Sequence, residues 1–187
     1  MGRLDERRLQ RSIQSLSGGS VILVSAEVTD DDFNARFSAR WRRYRYFVRT
    51  GAVASPFDRT TCWAVGRTLD LERMNVAAAQ LVGTHDFASF CRAPKAVPAA
   101  ATAPSTVRRV LDAAWHEDGD DRLHFEIRAT AFCHQMVRSI VGLLVDVGRG
   151  RVEPDSVPTV LAAVDRAAVH TIAPPRGLML WDVGYGD

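Results

Sequence analysis

The chain has 187 residues, 47% of them apolar and 25% charged, with a formal net charge of +2. That length fits one domain, or one and a fragment, and the near-neutral balance excludes a polybasic tail. The first fifteen residues hold no apolar core for a signal peptide, and no run reaches membrane-spanning length, so a cytoplasmic protein without membrane contact is expected. Cys62, Cys91 and Cys133 are odd in number and widely spaced, which predicts neither a disulfide framework nor a zinc site.

Leu4, Leu9, Ile13 and Leu16 make a helical stripe that Gly18-Gly19 ends. Ser20 to Val28 then reads as a strand, and Asp30-Asp31-Asp32 as a turn. Phe33 to Arg49 is the most informative stretch, with six arginines and six aromatic residues in seventeen positions. All but one of the 24 basic residues are arginine, so arginine number alone says little, whereas its clustering with aromatic rings says more. Guanidinium groups suit phosphate and aromatic faces stack on unpaired bases, so the pattern points to RNA. The alternative is a half-buried strand with a solvated basic face. Within the stretch, Arg42 to Val48 alternates as a strand, with Tyr44 and Tyr46 on one face and Arg43 and Arg45 on the other.

Gly51 to Arg67 has no regular pattern. Asp70 is a suitable N-cap for a helix running to Val82, stopped by Gly83. Ala93 to Ser105, rich in proline and alanine, reads as a mobile loop. Two strands follow, near Val107 to His116 and Arg122 to Thr130, the second with Leu123, Phe125, Ile127 and Ala129 facing one way. Phe132 to Val147 reads as a long apolar helix, Ser156 to His170 as another, and Gly177 to Tyr185 as a closing strand. Strands and helices are mixed without regular β-α-β alternation, which predicts an α+β fold.

Arg138 falls inside the apolar Phe132–Val147 pattern, on the same predicted stripe as His134, Gln135 and Gly142. An arginine in such company needs a partner, because an unpaired buried charge costs several kcal/mol. Either it makes a structural ion pair, or it holds a catalytic carboxylate at the edge of a pocket.

Five segments together resemble the TruA family of tRNA pseudouridine synthases. They are Phe33-Asn34-Ala35-Arg36-Phe37-Ser38-Ala39, Arg42-Arg43-Tyr44-Arg45-Tyr46, His85-Asp86-Phe87-Ala88-Ser89-Phe90, Ala131-Phe132-Cys133-His134-Gln135-Met136-Val137-Arg138-Ser139-Ile140-Val141-Gly142, and Ala173-Pro174-Pro175-Arg176-Gly177-Leu178. They occur in family order from about Leu9 to Tyr185. The resemblance implies an antiparallel, ferredoxin-like sheet with helices packed on one face. It also implies an isomerase that acts on uridine in the anticodon arm of tRNA, with neither metal nor organic cofactor. Such an enzyme breaks the bond from ribose to N1 of uracil and rejoins the base through C5.

By the same match, Tyr44 is the active-site tyrosine that packs on the target base, and Arg138 pairs with the catalytic aspartate. Arg36, Arg42, Arg43, Arg45, His85 and His134 are the candidates for RNA contact. The family's nucleophile lies in a Gly-Arg-Thr-Asp-Ala-Gly loop, and no such string occurs here; Gly2-Arg3-Leu4-Asp5 is only a superficial echo. The expectation is therefore about the C-terminal two-thirds of a synthase. Residues 1–30 would be a remnant of the N-terminal half and residues 31–187 the C-terminal synthase domain. Its partners would be tRNA, a second copy as in the homodimeric intact family, and a separately encoded N-terminal piece. The alternative is a catalytically inactive RNA-binding remnant.

Overall fold

A computed structural model describes residues 5–52, 55–92, 104–119 and 121–186. The chain divides into two compact units between Ser38 and Ala39. Most of the predicted loop Ala93–Ser105 lies outside the described residues.

In the first unit, helix α1 spans Glu6–Leu16. Asp5 caps it by accepting a hydrogen bond from the Arg8 amide at 3.0 Å. None of its residues is buried, and Leu16 is 89% exposed, so the described part of the predicted apolar stripe gains little burial. The strand expected over Ser20–Val28 does not form. No strand among the described residues pairs with it, and Val24 and Val28 stand in solvent. A strand without a ladder partner leaves its amides and carbonyls to water, which removes the reason to form one. Asn34 ties the Phe33–Ser38 turn together, its side-chain oxygen accepting from the Arg36 and Phe37 amides at 3.0 Å each.

The second unit is α+β. Strand β1 spans Trp41–Arg49, β2 Trp63–Ala64, β3 Gly83–Asp86, β4 Val107–Glu117, β5 Arg122–Ala129 and β6 Leu178–Gly184. They form one sheet in the order β2-β1-β5-β4-β3, with β6 antiparallel to β1 on the side where β2 makes its short parallel pairing. Every other pairing is antiparallel. One bulge leaves Trp181 without a partner opposite β1, and another does the same to Leu111 opposite β5.

Helix α2 spans Leu71–Ala79, α3 Met136–Gly148 and α4 Val157–Ala163. Asp70 caps α2 through the Arg73 amide, as its position predicts. The core lies between the inner sheet face and the helices. Tyr46, Val48, Trp115, Phe125, Ile127 and Ala129 meet Met74, Ala77 and Ala78 of α2 and Ile140, Val141 and Leu144 of α3. β5 alternates buried and partly buried residues along its whole length, matching the period-2 reading. No described helix is long and apolar enough to cross a membrane.

Two helices are shorter than their apolar runs suggest. α3 begins at Met136 rather than Phe132, because Gln135 takes a left-handed conformation (φ 67°) that a helix cannot contain. α4 stops at Val164, which is also left-handed (φ 48°). The cysteine expectation also changes. Cys91 and Cys133 form a disulfide, their Cα atoms 5.6 Å apart, while Cys62 stays free and buried. Their sequence separation of 42 leaves no spacing signature, and only the fold brings them together. Unfolded without reductant, the chain should titrate one thiol per molecule with Ellman's reagent, and three after reduction. Three thiols in both samples would contradict the bridge.

Candidate active site

Alternation in β1 turns Tyr44 toward the helices and Arg43 and Arg45 to the opposite face of the sheet. Tyr44 sits before the buried part of the strand, where the core gives way to a cavity of about 430 Å³. Its ring meets Phe132 edge to face, with centroids 5.0 Å apart and planes at 86°. Phe132 belongs to the irregular segment between β5 and α3. That segment is held at Cys133 by the disulfide, and at His134, whose carbonyl accepts from the Arg92 amide at 2.9 Å. The remaining walls include Gln135, Arg138, Pro175 and Leu178.

Arg138 is the one residue of α3 that is not buried. Its Nε donates to the Ala173 carbonyl at 2.6 Å, and its own carbonyl accepts from the Ala173 amide at 3.0 Å. Among the described residues no carboxylate pairs with it. One edge of the guanidinium is thus anchored, and the cavity is lined by a positive charge with no counterion among the described residues.

The segment that anchors Arg138 is fixed on three sides. Gly142 of α3 lets the Thr171 carbonyl approach so closely that any Cβ would overlap it. The Tyr46 hydroxyl donates to the Pro174 carbonyl at 2.7 Å. A Cβ on Gly177 would lie 2.7 Å from the Phe47 carbonyl oxygen and the Tyr46 ring. Residues 171–177 therefore form a strap laid across α3 and β1, and Arg138 is aimed by it.

Burial pushes the Tyr46 phenol well above its ordinary value of about 10, although Arg138 and Arg176 nearby pull it down. A raised pKa means the folded state keeps a proton that the unfolded chain releases. The stabilisation is therefore full below about pH 10 and is lost as pH rises beyond it. Tyr46→Phe should flatten that alkaline decline in urea titrations, at a cost of about 1 kcal/mol at neutral pH from the lost hydrogen bond. An unchanged alkaline slope would refute it.

The predicted RNA contacts divide. His134 is exposed in the cavity wall, though in the irregular segment and not a helical turn ahead of Arg138, because α3 starts later. Arg42 shares the face of Tyr44 and donates from Nη1 to the Ala39 and Thr130 carbonyls at 3.1 and 3.0 Å. Arg43 and Arg45 lie on the other face, both paired with Glu126 at 3.4 and 2.7 Å, and Arg45 also covers Trp181 at 4.1 Å. On that face the His116 and His124 rings stack, and burial, followed by Arg45 and His116, holds His124 below its ordinary value. His85 faces another cavity, where its Nε2 lies 3.2 Å from the Val82 carbonyl oxygen. Arg36 lies in the first unit, 5.5 Å from the Phe37 ring centroid. Phe132 and the strap were not singled out from sequence, though both stand inside motifs that drew notice.

An aromatic ring and a partly buried guanidinium thus line one open pocket. Comparison with known proteins places the chain more narrowly. The family model described as tRNA pseudouridine synthase matches residues 77–186. tRNA pseudouridine synthase A of Bacillus velezensis is 39% identical over 176 residues, which cover 94% of this chain and 68% of that protein. The Bacillus subtilis protein of the same name is 38% identical over the same shares, and that of Thermoanaerobacter sp. is 36% identical over 98% of this chain and 72% of its own length. The chain belongs to the tRNA pseudouridine synthase family.

Proposed function

We propose that this chain carries the base platform and the orienting cation of an enzyme that isomerises uridine to pseudouridine in the anticodon arm of tRNA. The observation that carries the reading is that Tyr44 and Arg138 line one cavity and that Arg138 has no carboxylate partner among the described residues. The flipped uracil lies on the Tyr44 ring, which packs at a steep angle to Phe132. Arg138 holds the attacking aspartate ionised and aimed. That aspartate comes from a Gly-Arg-Thr-Asp-Ala-Gly loop outside these 187 residues, either on a preceding segment or on a separately encoded piece.

Arg42 and His134 hold the RNA beside the base, and Arg36 is a separate RNA contact of the first unit. Arg43, Arg45 and His85 meet its backbone away from the cavity. The protein works in the cytoplasm as a homodimer, for which the exposed Leu180 and Trp181 of edge strand β6 offer apolar surface.

The lack of a carboxylate against Arg138 among the described residues also favours a second reading, a catalytically inactive RNA-binding protein. Incubation with an unmodified tRNA transcript, with and without a segment bearing the aspartate loop, separates the two. Pseudouridine formed only with the added segment supports the first reading. RNA binding without turnover in either mixture supports the second. Turnover by the chain alone would show that the nucleophile is already within it.

A further inference from the structure

A second cavity, of about 260 Å³, adjoins the first through the strap: Pro175 lines one and Arg176 the other. Its rim carries the turn Pro56–Asp58, capped by the Ser55 hydroxyl, which accepts from the Phe57 amide at 3.3 Å. This ordered turn presents Phe57 at 92% exposure. A phenylalanine held so far into water contributes no core burial, so its apolar face is open to a ligand.

The charge in this cavity is unbalanced. Arg49 occupies both nearby carboxylates, Asp58 at 2.7 Å and Asp121. Arg176 is aimed by its Nε, which donates to the Cys62 carbonyl at 3.1 Å, leaving both terminal nitrogens available. Neither Arg176 nor the exposed Arg59 has a carboxylate partner among the described residues. Burial raises the Cys62 thiol above its ordinary value, so it adds no negative charge at neutral pH. The result is an excess of positive charge, with Arg59 and Arg176 free of carboxylate partners among the described residues, in a cavity whose rim is continuous in sequence with the exposed Phe57 and one peptide away from the cavity that holds Tyr44.

We propose that Phe57, Arg59 and Arg176 form a second RNA subsite for the nucleotide next to the target uridine. Its phosphodiester lies on the two guanidinium groups and its base on the Phe57 ring. The inference rests on reading the Tyr44–Arg138 cavity as the uridine site. Arginine matches the planar geometry of phosphate oxygens, and stacking on an aromatic ring tolerates any base. The subsite therefore grips the strand without reading its sequence.

The test is fluorescence anisotropy of the full chain with an unmodified anticodon stem-loop RNA across a salt series. Phe57→Ala should weaken binding about tenfold. Arg59→Gln should weaken it less, but reduce the slope of log affinity against log salt by about 0.7, the share of one phosphate on a single strand. Phe57→Trp should bind normally and lose tryptophan emission as RNA is added. Both side chains are exposed, so these variants keep the fold. Unchanged affinity and slope in these variants, with Tyr44→Ala weakening binding, would overturn the subsite and leave the uridine site standing. A wild-type chain that binds no RNA would overturn both.

Discussion

Gly142→Ala is expected to lower the melting temperature by about 6–12 °C and to remove RNA binding at the Tyr44 cavity. The added methyl would overlap the Thr171 carbonyl, which is backbone and cannot swing aside. Helix α3 and the strap would have to separate, at a cost of about 3 kcal/mol, the upper part of the range for overpacking. In a domain of this size each kcal/mol moves the melting temperature about 2–4 °C. The loss should extend to the site, because the strap that Gly142 admits also supplies the Ala173 carbonyl to Arg138 and the Pro174 carbonyl to Tyr46. Gly186→Ala, where an added Cβ meets nothing within 4 Å, is the matched control and should leave both readings unchanged. Thermal unfolding followed by circular dichroism decides the first part, and anisotropy the second.

Arg138→Gln should slow pseudouridine formation at least about a hundredfold in a mixture that contains the aspartate-bearing segment, equivalent to roughly 2.7 kcal/mol of barrier. Glutamine keeps a donor near the Ala173 carbonyl but removes the charge that, on the proposed reading, orients and ionises the aspartate. Arg138→Lys should recover little, since an ammonium cannot donate to the strap and face a carboxylate with a planar fork at once. Neither change should lower the melting temperature by more than a few degrees, because Arg138 is only partly buried and its lost strap bond is one among several. Activity of the glutamine variant within threefold of wild type would remove Arg138 from the mechanism.

Much of this architecture was legible in the sequence wherever side-chain period carries the information. The alternation through Arg42–Val48 and Leu123–Ala129 fixed both strands and their buried faces, and Asp70 marked the start of α2. It also set Arg43 and Arg45 opposite Tyr44, so their separation from the cavity follows from parity alone. Period failed where backbone conformation is imposed by distant contacts. Phe132–Gln135 continues the apolar pattern of α3, yet the turn at Gln135 breaks it, and that turn belongs to a segment clamped to Cys91 and Arg92. Ser20–Val28 has strand composition without a ladder to join. The strap was illegible for another reason. It acts through the carbonyls of Ala173 and Pro174, and a carbonyl has no letter in a sequence.

The placement of Tyr44 by parity has one more consequence, for the kinds of change this enzyme tolerates. Deleting Arg45 would not merely shorten β1; it would turn the strand inside out ahead of the fixed Tyr46. A guanidinium would be driven against Phe132 and the phenol ring would face solvent beside Glu126. Point substitutions can weaken this site by degrees. Loss of that one codon has no partial outcome.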